Sequence, residues 1–179
     1  MPSTRVSLMT QIELIPAILN VCQQVLPKLH IKGGALEPFY QAPKENRPAI
    51  LFFREDYVRS LFHELAHYCL AGDKRRQLND FGYWYSPCGR SSEEQEQFER
   101  VEGRPQGLEK LFCEIWLVPF SPSLDDFSGR HTSTGFLENL ENAYIEMKTT
   151  PPKTPQRVLE GMRHFVSNIS AYRSVPSRL

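Results

Sequence analysis

Apolar residues recur every three to four positions along much of the chain, which is the spacing of one face of an α-helix. In the first such stretch Ile15, Ile18 and Cys22 share one side of a helix, despite an intervening proline. A second proline, Pro105, is expected either to kink a helix that begins near residue 91 or to start a new one. The pattern predicts helices over residues 10–26, 56–70, 91–103, 107–118, 135–147 and 154–172.

Two short apolar runs are typical of strands instead. Residues 39–40 and the run AILFF at 49–53 are bounded by glycine, proline and polar residues, and the second run has the uninterrupted apolar character of a buried strand. The chain shows no internal repeat or linker, and its length suits one core. The sequence therefore predicts a single domain spanning residues 1–179, a compact and helix-rich α+β fold with a small sheet near residues 36–53.

Polar residues mark the ends of the two central helices. Glu55 or Asp56 is expected to cap the helix that stops at Gly72, because a side-chain oxygen there can accept a free backbone N–H group. Ser92, with Gln95 three residues later, resembles a capping box at the start of the next helix.

Composition narrows the class of protein. The chain has 21 basic and 21 acidic residues, so it lacks the positive excess of a non-specific nucleic-acid binder. Its four cysteines form no CxxC pair, which favours reduced, packed thiols over a cysteine zinc site or a disulfide framework. The polar, proline-interrupted N-terminus does not resemble a signal peptide, and no apolar run is long enough to span a membrane. We therefore expect a cytoplasmic protein.

The pentapeptide HELAH, from His63 to His67, is the first indication of chemistry. Two histidines four residues apart lie on one face of a helix and can bind one metal ion. The apolar stripe of this helix includes Leu61 and Leu65, and helical geometry places both histidines well away from its centre. They are therefore expected to face solvent or another element. The alternative is two surface histidines that bind no metal ion.

A metal held by two histidines needs a further protein ligand, usually a carboxylate. The acidic helix over residues 91–103 offers several, and Phe98 and Val101 mark its inward face. Glu102 lies closest to that face, so we predict Glu102 as the third ligand and Glu99 as the reserve. A simple Arg–Glu ion pair is the alternative for either side chain.

These ligands serve two chemistries. In a zinc peptidase, Glu64 would act as a general base on a metal-bound water. In a non-haem iron oxygenase, two histidines and one carboxylate leave other metal positions open for dioxygen and substrate, and Glu64 would support the site from the second coordination shell. A binding domain without catalysis is a third possibility. The spacing of the ligands does not choose among them.

Longer stretches of sequence carry a resemblance to a known family. The segment HELAHYCLAGDKRRQLNDFGYWYSPCGR and the later segment QFERVEGRPQGLEKLFC resemble the bacterial elongation factor P hydroxylases. The resemblance begins near Ile31, includes the motif EPFY, and extends to about Phe127. Its most specific part is the run RRQLNDFGYWY.

The resemblance implies a monooxygenase that uses a bound metal ion, iron, and takes dioxygen as its cosubstrate. It implies as substrate the lysine of elongation factor P after that lysine has received a β-lysyl group. His63 and His67 carry over as metal ligands from HELAH, whereas the segment FERVE offers both Glu99 and Glu102. No residue of the chain identifies the electron donor.

The matched segment also suggests where a protein substrate would bind. Its cations could meet acidic parts of a partner, or form a solvated basic corner; these are Lys74, Arg75 and Arg76. Its aromatic residues could line a pocket for the lysyl arm, or belong to the core; these are Tyr83, Trp84 and Tyr85. Asp80 could neutralise a substrate ammonium group or cap a turn. No membrane or nucleic-acid partner is expected.

Overall fold

The computed structural model describes residues 11–82, 91–123 and 133–173. Within these ranges the chain forms five α-helices and one three-stranded sheet, which confirms the helix-rich α+β class. The elements in chain order are α1 (Gln11–Val25), β1 (Leu29–Ala35), β2 (Phe39–Gln41), β3 (Ala49–Arg54), α2 (Val58–Leu70), α3 (Ser92–Trp116), α4 (Thr134–Thr149) and α5 (Lys153–Arg173).

The sheet has the order β1-β3-β2, with β1 parallel and β2 antiparallel to the central strand β3. Alternate residues of β3 are buried, namely Ala49, Leu51 and Phe53. The sequence pattern did not predict β1, because Leu29 is the only buried residue of that strand and no apolar alternation marks it. Pairing with β3, twenty residues later in the chain, creates it instead.

A short segment after α2 covers the open edge of β2. The side chains of Asp80 and Asn79 accept hydrogen bonds from the backbone N–H groups of Tyr40 (2.8 Å) and Ala42 (3.0 Å). Phe81 stacks on Tyr40 with ring centroids 4.2 Å apart. Side-chain acceptors thus replace a fourth strand at this edge, where unpaired N–H groups would otherwise face solvent.

The start of α2 differs from the prediction, whereas the helix ends at Leu70 as predicted. Tyr57 is the N-cap residue and makes no side-chain capping bond, so the expected cap by Glu55 or Asp56 is wrong. Glu55 has a φ of 44° and belongs to the tight turn that leads from β3 directly into the helix. At the other end Arg76 donates to the carbonyl oxygens of Tyr68 (3.1 Å) and Cys69 (3.2 Å). These bonds satisfy carbonyls that have no partner within a helix.

Helix α3 is longer than predicted. Ser91, not Ser92, is the N-cap residue, and it forms the capping box with Glu94, one position earlier than expected. The helix continues through Pro105 to Trp116, so a new helix at the proline is wrong. Pro105 removes one backbone hydrogen bond, but α4 packs along the helix on both sides of it. At Gly107 an added Cβ would lie 2.7 Å from the backbone nitrogen of Tyr144.

The core lies between the sheet and the helices. Its largest fully buried side chains come from all three strands and from α1, α2, α3 and α4, and include Ile18, Tyr40, Phe53, Phe62, Phe112 and Phe136. Phe62 of α2 and Phe112 of α3 meet with ring centroids 5.8 Å apart, which fixes these two helices against each other. None of the helices in the described ranges has the length and apolar character needed to cross a bilayer.

Three of the four cysteines lie in the described ranges. Cys22, Cys69 and Cys113 are buried and unbridged, which agrees with the expectation of reduced, packed thiols. Burial raises the pKa of Cys22 to about 12, so this thiol stays protonated at neutral pH. Cys88 lies outside the described residues.

Candidate metal centre

The two histidines of α2 face a carboxylate of α3 across the contact between these helices. The Nε2 atoms of His63 and His67 are 3.1 Å apart. Glu102 places Oε1 at 3.3 Å from Nε2 of His67 and Oε2 at 3.5 Å from Nε2 of His63. We call these three residues the histidine–carboxylate group. The predicted orientation of the histidines, off the apolar stripe and towards another element, is what the structure shows.

The spacing of these donor atoms suits one metal ion. Ligands about 2.1 Å from a metal, at angles of about 90–110° to each other, are separated by about 3.0–3.4 Å. The three separations in the histidine–carboxylate group are 3.1, 3.3 and 3.5 Å. Two neutral imidazoles and one carboxylate are also the donor set of a facial iron site and of many zinc sites. The residues present therefore fit a divalent metal.

The histidines and carboxylates of this region shift each other's pKa values. Burial alone would raise the pKa of Glu102, but the charge and hydrogen bond of His67 and the charge of His63 lower it to about 2. Burial alone would lower the pKa of His63. The hydrogen bond to Glu109 and the charges of Glu102, Glu109 and Glu64 instead raise it to about 10. A divalent cation would replace the proton held on His63.

Glu99, the reserve ligand, is directed elsewhere. Its Oε1 accepts a hydrogen bond from Gln95 at 3.3 Å, and its Oε2 accepts one from the hydroxyl of Ser133, the N-cap residue of α4. Glu102 is 2% exposed and lies opposite the histidines. Between the two glutamates, the geometry favours the one that the helical projection selected.

A second buried carboxylate, Glu109, reaches His63 from the side away from Glu102. Its Oε2 lies 3.0 Å from Nδ1 of His63, and Arg59 of α2 donates to its Oε1 at 2.7 Å. The sequence interpretation missed both Glu109 and Arg59. Glu109 stands seven residues after Glu102, which is two turns along the same helical face. The two residues share a face only if the helix continues through Pro105, and the sequence prediction ended the helix before that residue.

Glu64 lies beside the group, partly exposed. Burial raises its pKa, the charges of His63 and His67 offset part of this rise, and the charges of Glu102 and Asp80 add to it. A carboxylate whose pKa is raised beside such a cluster is a candidate for a functional role. This placement agrees with either role considered for Glu64.

The predicted substrate residues fall into three groups. Lys74 and Arg75 are exposed just beyond α2. Arg76 instead donates hydrogen bonds to the carbonyl groups at the end of α2 and to Thr154 at 3.2 Å. Asp80 holds the edge of β2, as described above, and its charge still acts on Glu64. The predicted aromatic residues, Tyr83, Trp84 and Tyr85, lie outside the described residues.

Comparison with known proteins gives two findings. A family model described as elongation factor P hydroxylase matches residues 19–173. The chain is also 37% identical over 125 residues to a protein of Haemophilus influenzae named elongation factor P lysine hydroxylase, an overlap of 69% of this chain and 70% of that protein. The family match covers α2 and α3 entirely. It also extends beyond residue 127, where the sequence resemblance was expected to fade.

Proposed function

The chain belongs to the elongation factor P hydroxylase family, and we propose that it is an iron-dependent monooxygenase acting on the β-lysylated lysine of elongation factor P. The observation that carries this proposal is the histidine–carboxylate group, in which His63, His67 and Glu102 converge from two helices. Family membership supplies the reaction class and the protein substrate. The donor set is compatible with iron(II).

In this proposal His63 and His67 bind the metal through Nε2 and Glu102 binds it through its carboxylate. When bound, iron(II) supplies the activation of dioxygen for insertion of one oxygen atom into a carbon–hydrogen bond. The second oxygen atom leaves as water, which requires two electrons from an external reductant and two protons. We assign Glu64 a supporting role beside the metal, in the second coordination shell, rather than the role of a general base in hydrolysis.

The surroundings of the group offer features that suit the proposed substrate. A β-lysylated lysine is a long aliphatic arm with ammonium groups, so its site needs negative charge near the reacting carbon. Glu64 and Asp80 bring two carboxyl groups to this side of α2. The exposed Lys74 and Arg75 beyond the helix would meet acidic parts of the partner protein and speed the encounter.

A zinc metallopeptidase remains the alternative function, because it would use the same two histidines with Glu64 as base. Family membership favours hydroxylation over it. Purified metal-free protein, loaded anaerobically with iron(II) and supplied with a reductant and air, should add one oxygen atom to β-lysylated elongation factor P in a mass spectrum. Unmodified elongation factor P, exclusion of dioxygen and the His63→Ala variant are the controls. Zinc-dependent peptide cleavage that requires Glu64, without any oxygen gain, would overturn the proposal.

A further inference from the structure

Glu109 makes two separate contacts, one with each of its carboxylate oxygens. Oε2 lies 3.0 Å from Nδ1 of His63, and Oε1 accepts hydrogen bonds from Arg59 Nη2 at 2.7 Å and Nε at 3.1 Å. The residue is 2% exposed, so water does not compete for these contacts. A glutamate that only balanced the charge of Arg59 would not need to direct its other oxygen at a histidine ring.

The contact with Nδ1 determines which nitrogen of His63 is available to a metal. An ionised carboxylate can only accept hydrogen bonds, so Nδ1 must carry a proton. The lone pair of the neutral ring is then on Nε2, the atom that faces His67 and Glu102. We infer that Glu109, held by Arg59, is a positioning residue that fixes the tautomer and orientation of His63 for metal binding; this inference rests on the proposed metal site.

Arg59 anchors Glu109 to a third part of the chain. It donates from Nη1 to the hydroxyl of Ser121 at 2.9 Å and from Nη2 to the carbonyl of Ser121 at 2.7 Å. Its guanidinium also lies 5.1 Å from the ring centre of Phe120. The segment that follows α3 thus holds Arg59, Arg59 holds Glu109, and Glu109 holds His63. Such outer contacts orient metal-bound histidines in many proteins and raise the basicity of the ring.

Glu109→Gln tests this arrangement with little change of shape. His63 and Arg59 contact different oxygens of Glu109, and a glutamine would place an NH₂ donor at one of these two positions, so one of the two contacts would lose its acceptor. The affinity of the metal-free, full-length protein for Zn²⁺, measured by competition with a chromogenic chelator, should fall about 10- to 100-fold. Glu114→Gln is the matched control, because Glu114 is an exposed residue of the same helix that pairs with Lys148. Its zinc affinity should be unchanged.

A second readout separates positioning from loss of structure. In zinc-loaded protein labelled at histidine, the Nδ1 proton of His63 should give a hydrogen-bonded resonance that shifts in Glu109→Gln, while the melting temperature of the metal-free variant stays close to that of the parent. If Glu109→Gln does not fold, the more exposed Arg59→Gln carries the test, since it leaves Glu109 without its anchor. A smaller loss of zinc affinity is expected for Arg59→Gln. An unchanged zinc affinity in this variant would overturn the inference.

His63→Ala distinguishes the two levels of the argument. If His63→Ala abolishes zinc binding and Glu109→Gln binds zinc as the parent does, the metal site stands and the positioning role is wrong. If His63→Ala binds zinc as tightly as the parent, the proposed metal site itself is wrong and the inference falls with it. If both variants lose affinity in the expected order, with Glu114→Gln unaffected, both are supported.

Discussion

The choice of third ligand can be tested by one pair of substitutions on the same helix. Glu102→Gln replaces a buried carboxylate whose oxygens lie 3.3 and 3.5 Å from the two histidine Nε2 atoms. Glu99→Gln makes the same chemical change one turn earlier, at a residue directed at Gln95 and Ser133. Each variant removes one negative charge from α3, so any difference between them reports position rather than net charge.

The expected size of the effect follows from the number of ligands. A four-ligand structural zinc site binds with about 10–16 kcal/mol, or roughly 2.5–4 kcal/mol for each ligand. Because about 1.4 kcal/mol corresponds to a tenfold change in Kd, loss of one carboxylate should weaken metal binding roughly 100- to 1000-fold. An amide oxygen is a poorer ligand than a carboxylate but not an absent one, so Glu102→Gln should fall at the lower end of this range.

The assay is Zn²⁺ competition with a chelator, repeated with iron(II) under anaerobic conditions. Glu99→Gln should bind metal within about twofold of the parent, with at most ~1 kcal/mol lost in the free energy of unfolding from its weakened bond to Ser133. The reverse result, in which Glu99→Gln loses the metal and Glu102→Gln keeps it, would refute the assignment from helical geometry and from the distances together.

Three further predictions follow from particular contacts. Because the pKa of His63 is about 10 in the metal-free protein, metal binding at pH 7 must release its proton. The Kd for the metal should therefore fall about tenfold per pH unit between pH 7 and 9. Titration calorimetry in two buffers would count the released protons, and a Kd that does not change with pH would contradict this prediction. Arg76→Ala should lower the free energy of unfolding in urea by about 1.5–3 kcal/mol through its lost carbonyl bonds, against less than ~0.5 kcal/mol for the exposed Lys74→Ala. Asp80→Asn keeps an acceptor for Tyr40 and tolerates the left-handed backbone (φ 46°), so stability should hold while KM for modified elongation factor P rises; an unchanged KM would limit Asp80 to its structural bond.

Local patterns in the chain were sufficient to locate α1, α4 and α5 and to propose the histidine–carboxylate group. The predicted helix over residues 10–26 is α1 at Gln11–Val25, and that over 135–147 lies within α4 at Thr134–Thr149. Helical periodicity survives folding because each turn buries its own apolar side chains. The same reasoning ranked Glu102 above Glu99, because Glu102 projects closer to the inward face of the helix, and Glu102 is the residue that faces the two histidines.

Contacts between distant parts of the chain decided what the patterns could not. β1 forms because it pairs with β3, and Leu29–Ala35 has no alternation of apolar and polar residues that would predict this strand. The cap of α2 is absent because the tight turn from β3 occupies the residues that would have supplied it.

The candidate metal centre shows the same division. HELAH and the acidic helix by themselves indicated His63, His67 and a third ligand, preferably Glu102 and in reserve Glu99, because this choice depends only on the geometry of single helices. The packing of α2 on α3, in which Phe62 meets Phe112, decided that His63, His67 and Glu102 converge. The supporting pair Glu109 and Arg59 was beyond the sequence pattern, because α4 keeps α3 helical through Pro105 and so brings Glu109 onto the face of Glu102. Tertiary packing overrides a local helix breaker when the buried contact on both sides of it outweighs one lost hydrogen bond.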